Sequence, residues 1–529
     1  MSRPAFEVES SRRTLFEALI EAAHRHGRNK TVVRDADRQD LSYKRLILGS
    51  LVIGDRLARL AGPGETVGVM LPNAAGAVVT LFGLNAFGRR VAMLNFTAGP
   101  RNLVSAVKTG PIPLVVTSRR FVEAGKLEDV VKAIEEAEPT PGRRTRIIYL
   151  EDVRAAITVA DKIRAAARQL LPMRIVRTSG MRPDSPAVVL FTSGTEGTPK
   201  GVVLTNANLV ANARQILAHA EGMLTPDDTV LNPLPMFHSF GLTAALLMPL
   251  FGGMKVVLYP SPLHYKQVAK LIAQETPTVL FATDTFMMGY ARAAAVGDLA
   301  SVRYVIAGAE RVKETTRSAW AKTGAEVLEG YGATECAPVI ACNVPRLNTP
   351  GTVGPLLPGI ETALEPVAGI ETGGRLRVRG PNVMAGYMLA DAPGEVYPPT
   401  GGWHDTGDIV TIDEQDVVTI RGRAKRFAKI GGEMVSMAAV EALASGLWPD
   451  AQHVVVSQPD ERKGEQLVLV TDWASADRAA LIAHAKSEGF PELWVPRAIL
   501  VVASIPVTGT GKVDLQATRT LVETTRGLI

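Results

Sequence analysis

Cysteine is nearly missing from this 529-residue chain, which holds only Cys336 and Cys342. Two thiols cannot staple a disulfide-rich secreted scaffold or build a Cys-based metal site, and their scarcity fits a reducing compartment. Long apolar runs are missing too. The longest stretch, Gly241 to Pro260, is interrupted by Pro249, Gly252, Gly253 and Lys255. A bilayer span needs about 20 mostly apolar residues, so this stretch reads as a helix, a turn and a buried strand. Early acids and the lack of an apolar h-region argue against a signal peptide. No internal repeat is visible, and no aromatic-basic module supports nucleic-acid binding. The expected location is the cytoplasm.

What is present is a large core. The chain is 46% hydrophobic and 21% charged, and its mean hydropathy is slightly positive, which excludes a disordered chain. Its length implies several folding units. Lys and Arg number 58 against 53 Asp and Glu, a net charge of +5, and the pI is near 9.1. That excess is local. Arg143 to Arg182 carries ten bases and three acids, a net of +7, so the remainder of the chain sums to −2. A smaller basic cluster, Arg421, Arg423, Lys425, Arg426 and Lys429, has no intervening acid.

Short β-branched runs alternate with longer amphipathic segments through the first ~350 residues, the pattern of α/β architecture with largely parallel sheets. Strands are expected at Thr66–Leu71, Arg90–Leu94, Pro113–Thr117, Ala187–Phe191, Thr278–Phe281, Ser301–Ala307 and Ala325–Glu329, and a helix at Ala74–Phe87. From Gly351 short strands and Gly/Pro turns suggest a smaller β-rich subdomain. A compact α+β tail follows Arg423, which places the domains at 1–423 and 424–529.

The segment Thr192-Ser193-Gly194-Thr195-Glu196-Gly197-Thr198-Pro199-Lys200-Gly201 directly follows an expected strand. Small residues let backbone N–H groups approach an anion, hydroxyls add donors and Lys200 adds charge, so the segment reads as a phosphate-cradling loop. The Walker A spacing is absent, which excludes a P-loop NTPase.

This run resembles the phosphate loop of the adenylate-forming superfamily, which includes acyl- and aryl-CoA synthetases, luciferases and peptide-synthetase adenylation domains. Five further segments resemble the family's motifs in the family's order. They are Pro235-Met236-Phe237-His238-Ser239-Phe240-Gly241, Gly330-Tyr331-Gly332-Ala333-Thr334-Glu335, Asp405-Thr406-Gly407-Asp408, Gly422-Arg423-Ala424-Lys425-Arg426 and Pro506-Val507-Thr508-Gly509-Thr510-Gly511-Lys512. The resemblance implies ATP and Mg²⁺ as cofactors, and an acid joined to AMP before a thiol displaces the nucleotide.

It also implies roles. Thr192, Ser193, Gly194, Thr195 and Lys200 would hold the phosphates, and Glu335 and Thr195 would bind Mg²⁺. Thr334 would reach the α-phosphate, Tyr331, with Gly332 beside it in the nucleotide site, would stack on adenine next to Gly308, Ala309 and Glu310, Asp408 would hold the ribose, and Arg423 would contact ribose or phosphate. Lys512 would bridge the carboxylate and the α-phosphate, while His238 would line the acyl pocket, as an active group or merely a wall. Lys425 would be the hinge, bringing Lys429, Gly431 and Gly432 to the site for thioester formation. Cys336, beside Glu335, reads as a buried small residue without a chemical role.

Several details resemble bacterial acyl–acyl carrier protein synthetases, in particular the synthetase half of the bifunctional 2-acylglycerophosphoethanolamine acyltransferase/acyl-ACP synthetases. They are the Thr195-Glu196-Gly197 version of the loop together with the segments Tyr259–Tyr265, Tyr331–Pro338, Arg423–Ile430 and Pro491–Arg497. Separately, the lysine loop continues Val513-Asp514 where many CoA ligases carry bases, which weakens a CoA reading slightly. No His is followed five residues on by Asp, so an H-x-x-x-x-D acyltransferase motif is absent. The expected reaction is ATP-dependent ligation of a medium- to long-chain fatty acid to acyl carrier protein. The alternatives are a fatty acyl-CoA synthetase and an inactive fatty-acid-binding relative. Residues 151–172 have no motif role. On a helical wheel Val153, Ala156, Ile157, Ala160, Ile163, Ala167, Leu170 and Leu171 share one face, as expected of a helix that either lies on an anionic membrane or packs on the domain.

Overall fold

The segment Ala75–Ala86 is apolar nearly all round, and a helix of that kind must be covered on every side. Ten of its twelve residues are buried. It crosses the helix Tyr43–Leu57 at a pair of glycines, where a Cβ added to Gly54 would lie 2.5 Å from the Gly83 carbonyl oxygen. Only residues without side chains allow backbones this close. The computed structural model describes residues 6–193, 199–367, 370–430, 433–460, 464–507 and 513–525, with Ser193 and Lys425 described for their backbone only.

The chain forms two compact units, the larger comprising residues up to Glu361 together with Arg379–His404. It contains two eight-stranded sheets. In the first the order is Val339–Cys342, Glu326–Gly332, Tyr304–Ala307, Val279–Ala282, Thr229–Asn232, Lys255–Leu258, Thr31–Arg34 and Asp40–Ser42. The six inner strands are parallel and the two outermost are antiparallel. In the second the order is Ala392–Tyr397, Gly386–Leu389, Pro199–Thr205, Pro186–Ser193, Arg90–Met93, Thr66–Val69, Leu114–Thr117 and Arg146–Tyr149. Its last five strands are parallel. Thr66–Val69 and Leu114–Thr117 are buried at every position, as parallel strands covered on both faces must be.

The strands and the helix expected in this region are present with ends shifted by a few residues. Gly241 to Pro260 resolves into a π-helical segment, Phe240–Leu247, a short helix, Met248–Phe251, and the strand Lys255–Leu258. Among the described residues no helix is long and apolar enough to cross a membrane.

Two expectations need correction. The β-rich stretch after Gly351 is not one subdomain. The hairpin Gly386–Leu389 and Ala392–Tyr397 extends the second large sheet, where Met388 enters the core with Val189 and Val203. The flanking strands Glu361–Glu365, Gly374–Arg379, His404–Ile412 and Val418–Arg423 form a separate four-stranded sheet. Residues 151–172, moreover, are not one helix with a single apolar face. Helix breaks before Thr158 and at Pro172 divide the region into Leu150–Ala155, Val159–Leu170 and Pro172–Ser179. Thr158 caps the middle helix by exchanging hydrogen bonds with Asp161.

The smaller unit comprises Thr362–Val378 and Asp405–Ile529. Beside the four-stranded sheet it holds a five-stranded one built from Glu433–Ser436, Phe427–Ile430, Gly464–Thr471, His453–Asp460 and Ala498–Val501. Helices Met437–Leu447 and Arg478–Ser487 contribute Val440, Leu443 and Leu481 to its core with Val455 and Leu469.

The helix crossing predicts that Gly54→Val destabilises the larger unit by about 1–3 kcal/mol, as overpacked cores do. Denaturant unfolding followed by tryptophan fluorescence checks this, and an unchanged midpoint contradicts so close an approach.

Candidate active site

In the larger unit, parallel strands end where the singled-out residues begin. Tyr304–Ala307 runs into Gly308, Ala309 and Glu310, and Glu326–Gly332 carries Tyr331 and Gly332 before the turn Thr334–Cys336. Carboxyl ends of parallel strands are where open α/β sheets bind ligands.

The turn is held by backbone crowding. A Cβ on Gly332 would lie 2.1 Å from the Pro338 carbonyl oxygen, and the Ala333 amide donates to that oxygen at 3.0 Å. Ala337 takes up a left-handed φ of +66° and Ala309 one of +70°. Alanine pays roughly 1–2 kcal/mol for that conformation, which the surrounding bonds must offset. Asn382 donates its side-chain amide to the Cys336 carbonyl at 2.7 Å. Asn212 exchanges hydrogen bonds with both backbone groups of Val339, and the Met384 amide donates to the Glu335 carbonyl at 2.8 Å. Below the turn, Glu329 is buried, pairs with Arg317 and accepts from the Val312 amide. Tyr331 is 8% exposed.

These constraints aim Glu335. Its Oε1 accepts a hydrogen bond from the Tyr387 hydroxyl at 2.6 Å, and Lys200 Nζ lies 5.7 Å from the centroid of the Tyr387 ring. Tyr387 stands opposite Val202 in the antiparallel pairing of Gly386–Leu389 with Pro199–Thr205, one diagonal from Lys200. Thr192 is paired directly with Lys200 across the adjoining strands. Thr334 Oγ1 accepts from Ser239 Oγ at 3.4 Å, which brings in the segment containing His238. His238 packs its ring 4.9 Å from that of Phe237. Gly308 faces the Phe240 ring, which a Cβ would approach to 3.1 Å. Glu310 accepts from both the amide and the hydroxyl of Thr285, so its carboxylate fixes the strand end. Cys336 is fully buried, and burial, reinforced by the Glu335 carboxylate, pushes its thiol well above the ordinary value. It is no nucleophile at neutral pH.

In the smaller unit, Asp408 is buried in the strand His404–Ile412, opposite Arg423, and Arg423 Nε lies 3.1 Å from its Oδ1. The preceding turn is fixed by Thr406 Oγ1, which accepts from the Asp408 amide and donates to the Leu376 carbonyl. Gly407 supplies the left-handed φ of +71°. Lys429 is exposed, and its amide donates to Glu465. The backbone at Lys425 lies in a short 3-10 turn beside Arg426, which pairs with Glu441. Gly194, Thr195, Glu196, Gly431, Gly432 and Lys512 lie outside the described residues, as do the side chains of Ser193 and Lys425.

Among the described residues no cluster of three His, Cys, Asp or Glu side chains could cage a metal. A lone oriented carboxylate such as Glu335 instead suits Mg²⁺, which keeps water and phosphate oxygens as most of its ligands.

The sequence profile of the AMP-binding enzyme family matches residues 19–388. The chain therefore belongs to the AMP-binding enzymes, which use ATP with Mg²⁺. Among curated proteins, it is 27% identical over 484 residues to a long-chain-fatty-acid–CoA ligase of Bacillus subtilis strain 168, covering 85% of this chain and 84% of the relative. Two solved structures share the fold. The anthranilate CoA ligase AuaEII in complex with anthranoyl-AMP has a TM-score of 0.78 at 19% identity, covering 99% of this chain and all of that one. ATP-bound MatB from Rhodopseudomonas palustris has a TM-score of 0.79 at 23% identity, covering 96% and 99%.

Tyr387 was not singled out from the sequence. It lies 52 residues from Glu335, and only strand register brings the two together. Tyr387→Phe is predicted to lower acid-dependent ATP–pyrophosphate exchange about tenfold, the loss typical of one hydrogen bond to a charged group, with the melting temperature little changed. Exchange at the wild-type rate contradicts a role for this bond in orienting Glu335.

Proposed function

We propose that this chain activates a fatty acid as its acyl-adenylate and passes the acyl group to the thiol of CoA. The observation that carries the reading is the gathering of Lys200, Tyr387 and Glu335 beside the Thr334 turn, in a chain belonging to the AMP-binding enzymes.

In the first step a carboxylate oxygen attacks the α-phosphorus of ATP and pyrophosphate leaves with the electrons of the broken P–O bond. Thr192, Ser193, Gly194, Thr195 and Lys200 are assigned to the departing phosphates, where fixed donors and positive charge are worth most. Glu335, with Thr195, would hold Mg²⁺, which when bound neutralises charge on phosphate oxygens. Thr334 is assigned to the α-phosphate, Tyr331, Gly332 and the Gly308–Ala309 edge to adenine, and the Asp408–Arg423 pair to ribose. Glu310 then serves by holding that edge through Thr285. Lys512 is assigned to the attacking carboxylate, and His238 to the wall of the acyl site. In the second step the thiol sulfur attacks the acyl carbon, its proton is lost, and AMP leaves. The tail from residue 424 is proposed to pivot at Lys425 and to present Lys429, Gly431 and Gly432 for this step.

CoA is favoured as acceptor because the Bacillus subtilis relative and similar proteins from Yersinia pestis and Escherichia coli are named long-chain-fatty-acid–CoA ligases. Acyl carrier protein stands as a second reading on a specific observation, the acidic Val513-Asp514 continuation of the lysine loop. The retained Lys200, Glu335, Asp408 and Lys512 argue against an inactive binding protein.

With ATP, Mg²⁺ and decanoate, the expected outcome is thioester formation with CoA and little with holo-acyl carrier protein. The reverse preference overturns the CoA assignment in favour of the second reading. Lys512→Ala is predicted to reduce adenylate formation by roughly 10²–10³-fold, as loss of a transition-state stabiliser does, measured by single-turnover release of pyrophosphate. A loss confined to the thiol-dependent step contradicts the role assigned to Lys512.

A further inference from the structure

The helix Val159–Leu170 is mounted inside out. Its inward side consists of Asp161, Ala165 and Gln169, with Arg168 partly covered. Asp161 is 3% exposed and meets Arg56, Arg59 and Arg164, while Asp55 meets Arg59, Arg164 and Arg168. Gln169 donates to the Lys44 carbonyl at 2.6 Å. The amide and hydroxyl of Thr158, then Arg56, hold the Asp161 carboxyl far below the usual range, so this attachment stays charged at neutral pH. Polar anchoring leaves the apolar side facing outward.

Val159, Ile163, Leu170 and Leu171 are 71%, 65%, 77% and 66% exposed. Among the described residues only five large hydrophobic side chains exceed 60% exposure, and these are four of them. On a helix, positions 159, 163, 166 and 170 form one stripe, and 167 lies at its edge. Ala166 and Ala167 are exposed as well. A concentrated apolar stripe of this kind marks an interaction surface rather than the scattered hydrophobics of an ordinary exterior.

Its surroundings specify the partner. From Arg154 to Arg182 the chain has seven bases and one acid, and that acid is the buried, paired Asp161. Lys162 flanks the stripe, and Arg154, Arg174 and Arg177 are exposed on the adjoining helices. We infer that this face docks the enzyme onto an anionic lipid bilayer, with Val159, Ile163, Leu170 and Leu171 entering the headgroup–acyl boundary and the bases meeting lipid phosphates. The helix is about 18 Å long at 1.5 Å per residue, too short to span and suited to lying flat. Two weak signals, apolar insertion and a polybasic rim, together give stable but reversible attachment. The inference rests on surface chemistry alone and does not depend on the substrate or thiol proposed above.

The test is co-sedimentation of the full-length protein, without ATP or acid, with phosphatidylcholine vesicles and with phosphatidylcholine–phosphatidylglycerol vesicles. The expected result is binding at least about tenfold tighter to the anionic vesicles, weakened by added salt. Ile163→Ser, Leu170→Ser and Leu171→Ser combined should lower that binding at least tenfold, with unchanged melting temperature and unchanged pyrophosphate exchange on dissolved acid. Lys162→Glu should weaken binding to anionic vesicles only. Failure of the wild type to sediment with anionic vesicles overturns the inference. So does equal binding by the triple variant, or a wild-type dimer in ultracentrifugation that the triple variant abolishes without any effect on vesicle binding. None of these outcomes bears on the ligase chemistry.

Discussion

The candidate site depends on a contact between two pieces of backbone. Where Glu326–Gly332 turns back toward Val339–Cys342, Gly332 sits against the Pro338 carbonyl with no room for a β-carbon. That approach closes a turn so tight that Ala337 must adopt a left-handed backbone, and the turn ends with Glu335 bonded to Tyr387. Asn212, and Asn382 with the nearby Met384 amide, tie the same few residues to two other parts of the chain. A carboxylate that is to hold a cation must keep its position before the ligand arrives, because reorganisation during the reaction costs rate. Here rigidity is supplied by the main chain, and the side chains need only complete it.

The same logic explains why side chains on separate strands converge. Lys200, Val202 and Tyr387 lie on two antiparallel neighbours, so their relative positions follow from strand register. Met388, one residue further on, is buried in the core with Val189 and Val203. Slipping the register by one residue would move Met388 out of the core and Tyr387 away from Glu335 together. Packing therefore enforces the site geometry. In the smaller unit Asp408 follows a comparable plan, a buried carboxylate whose charge is met by Arg423 across one strand pair.

Much of this was legible in the sequence because the motifs are contiguous. Thr334-Glu335, Asp405-Thr406-Gly407-Asp408 and the hydroxyl-rich run before Lys200 are each read as candidate site segments from a few adjacent residues, and alternation of β-branched and amphipathic stretches marks the α/β frame. Nothing around Tyr387 in the sequence signals its partner, which only the strand pairing supplies. The hairpin 386–397 likewise groups by sequence with its β-rich neighbours, although its hydrogen bonds go to Pro199–Thr205. Segment 151–172 shows a different limit. Its amphipathic character was evident, but a hydrophobic pattern predicts which side is apolar and not which side the domain holds. The ion pairs of Asp55 and Asp161 with four arginines decide that, and Val153 faces inward while Ile163 and Leu170 face out.

The proposed chemistry begins with formation of an acyl-adenylate from a fatty acid. Exchange of labelled pyrophosphate into ATP, measured without any thiol across a series of straight-chain fatty acids, tests it most directly. Exchange that requires Mg²⁺ and rises with an added medium- or long-chain fatty acid is the predicted result. Exchange that no fatty acid stimulates, or that only an aromatic acid stimulates, would contradict it.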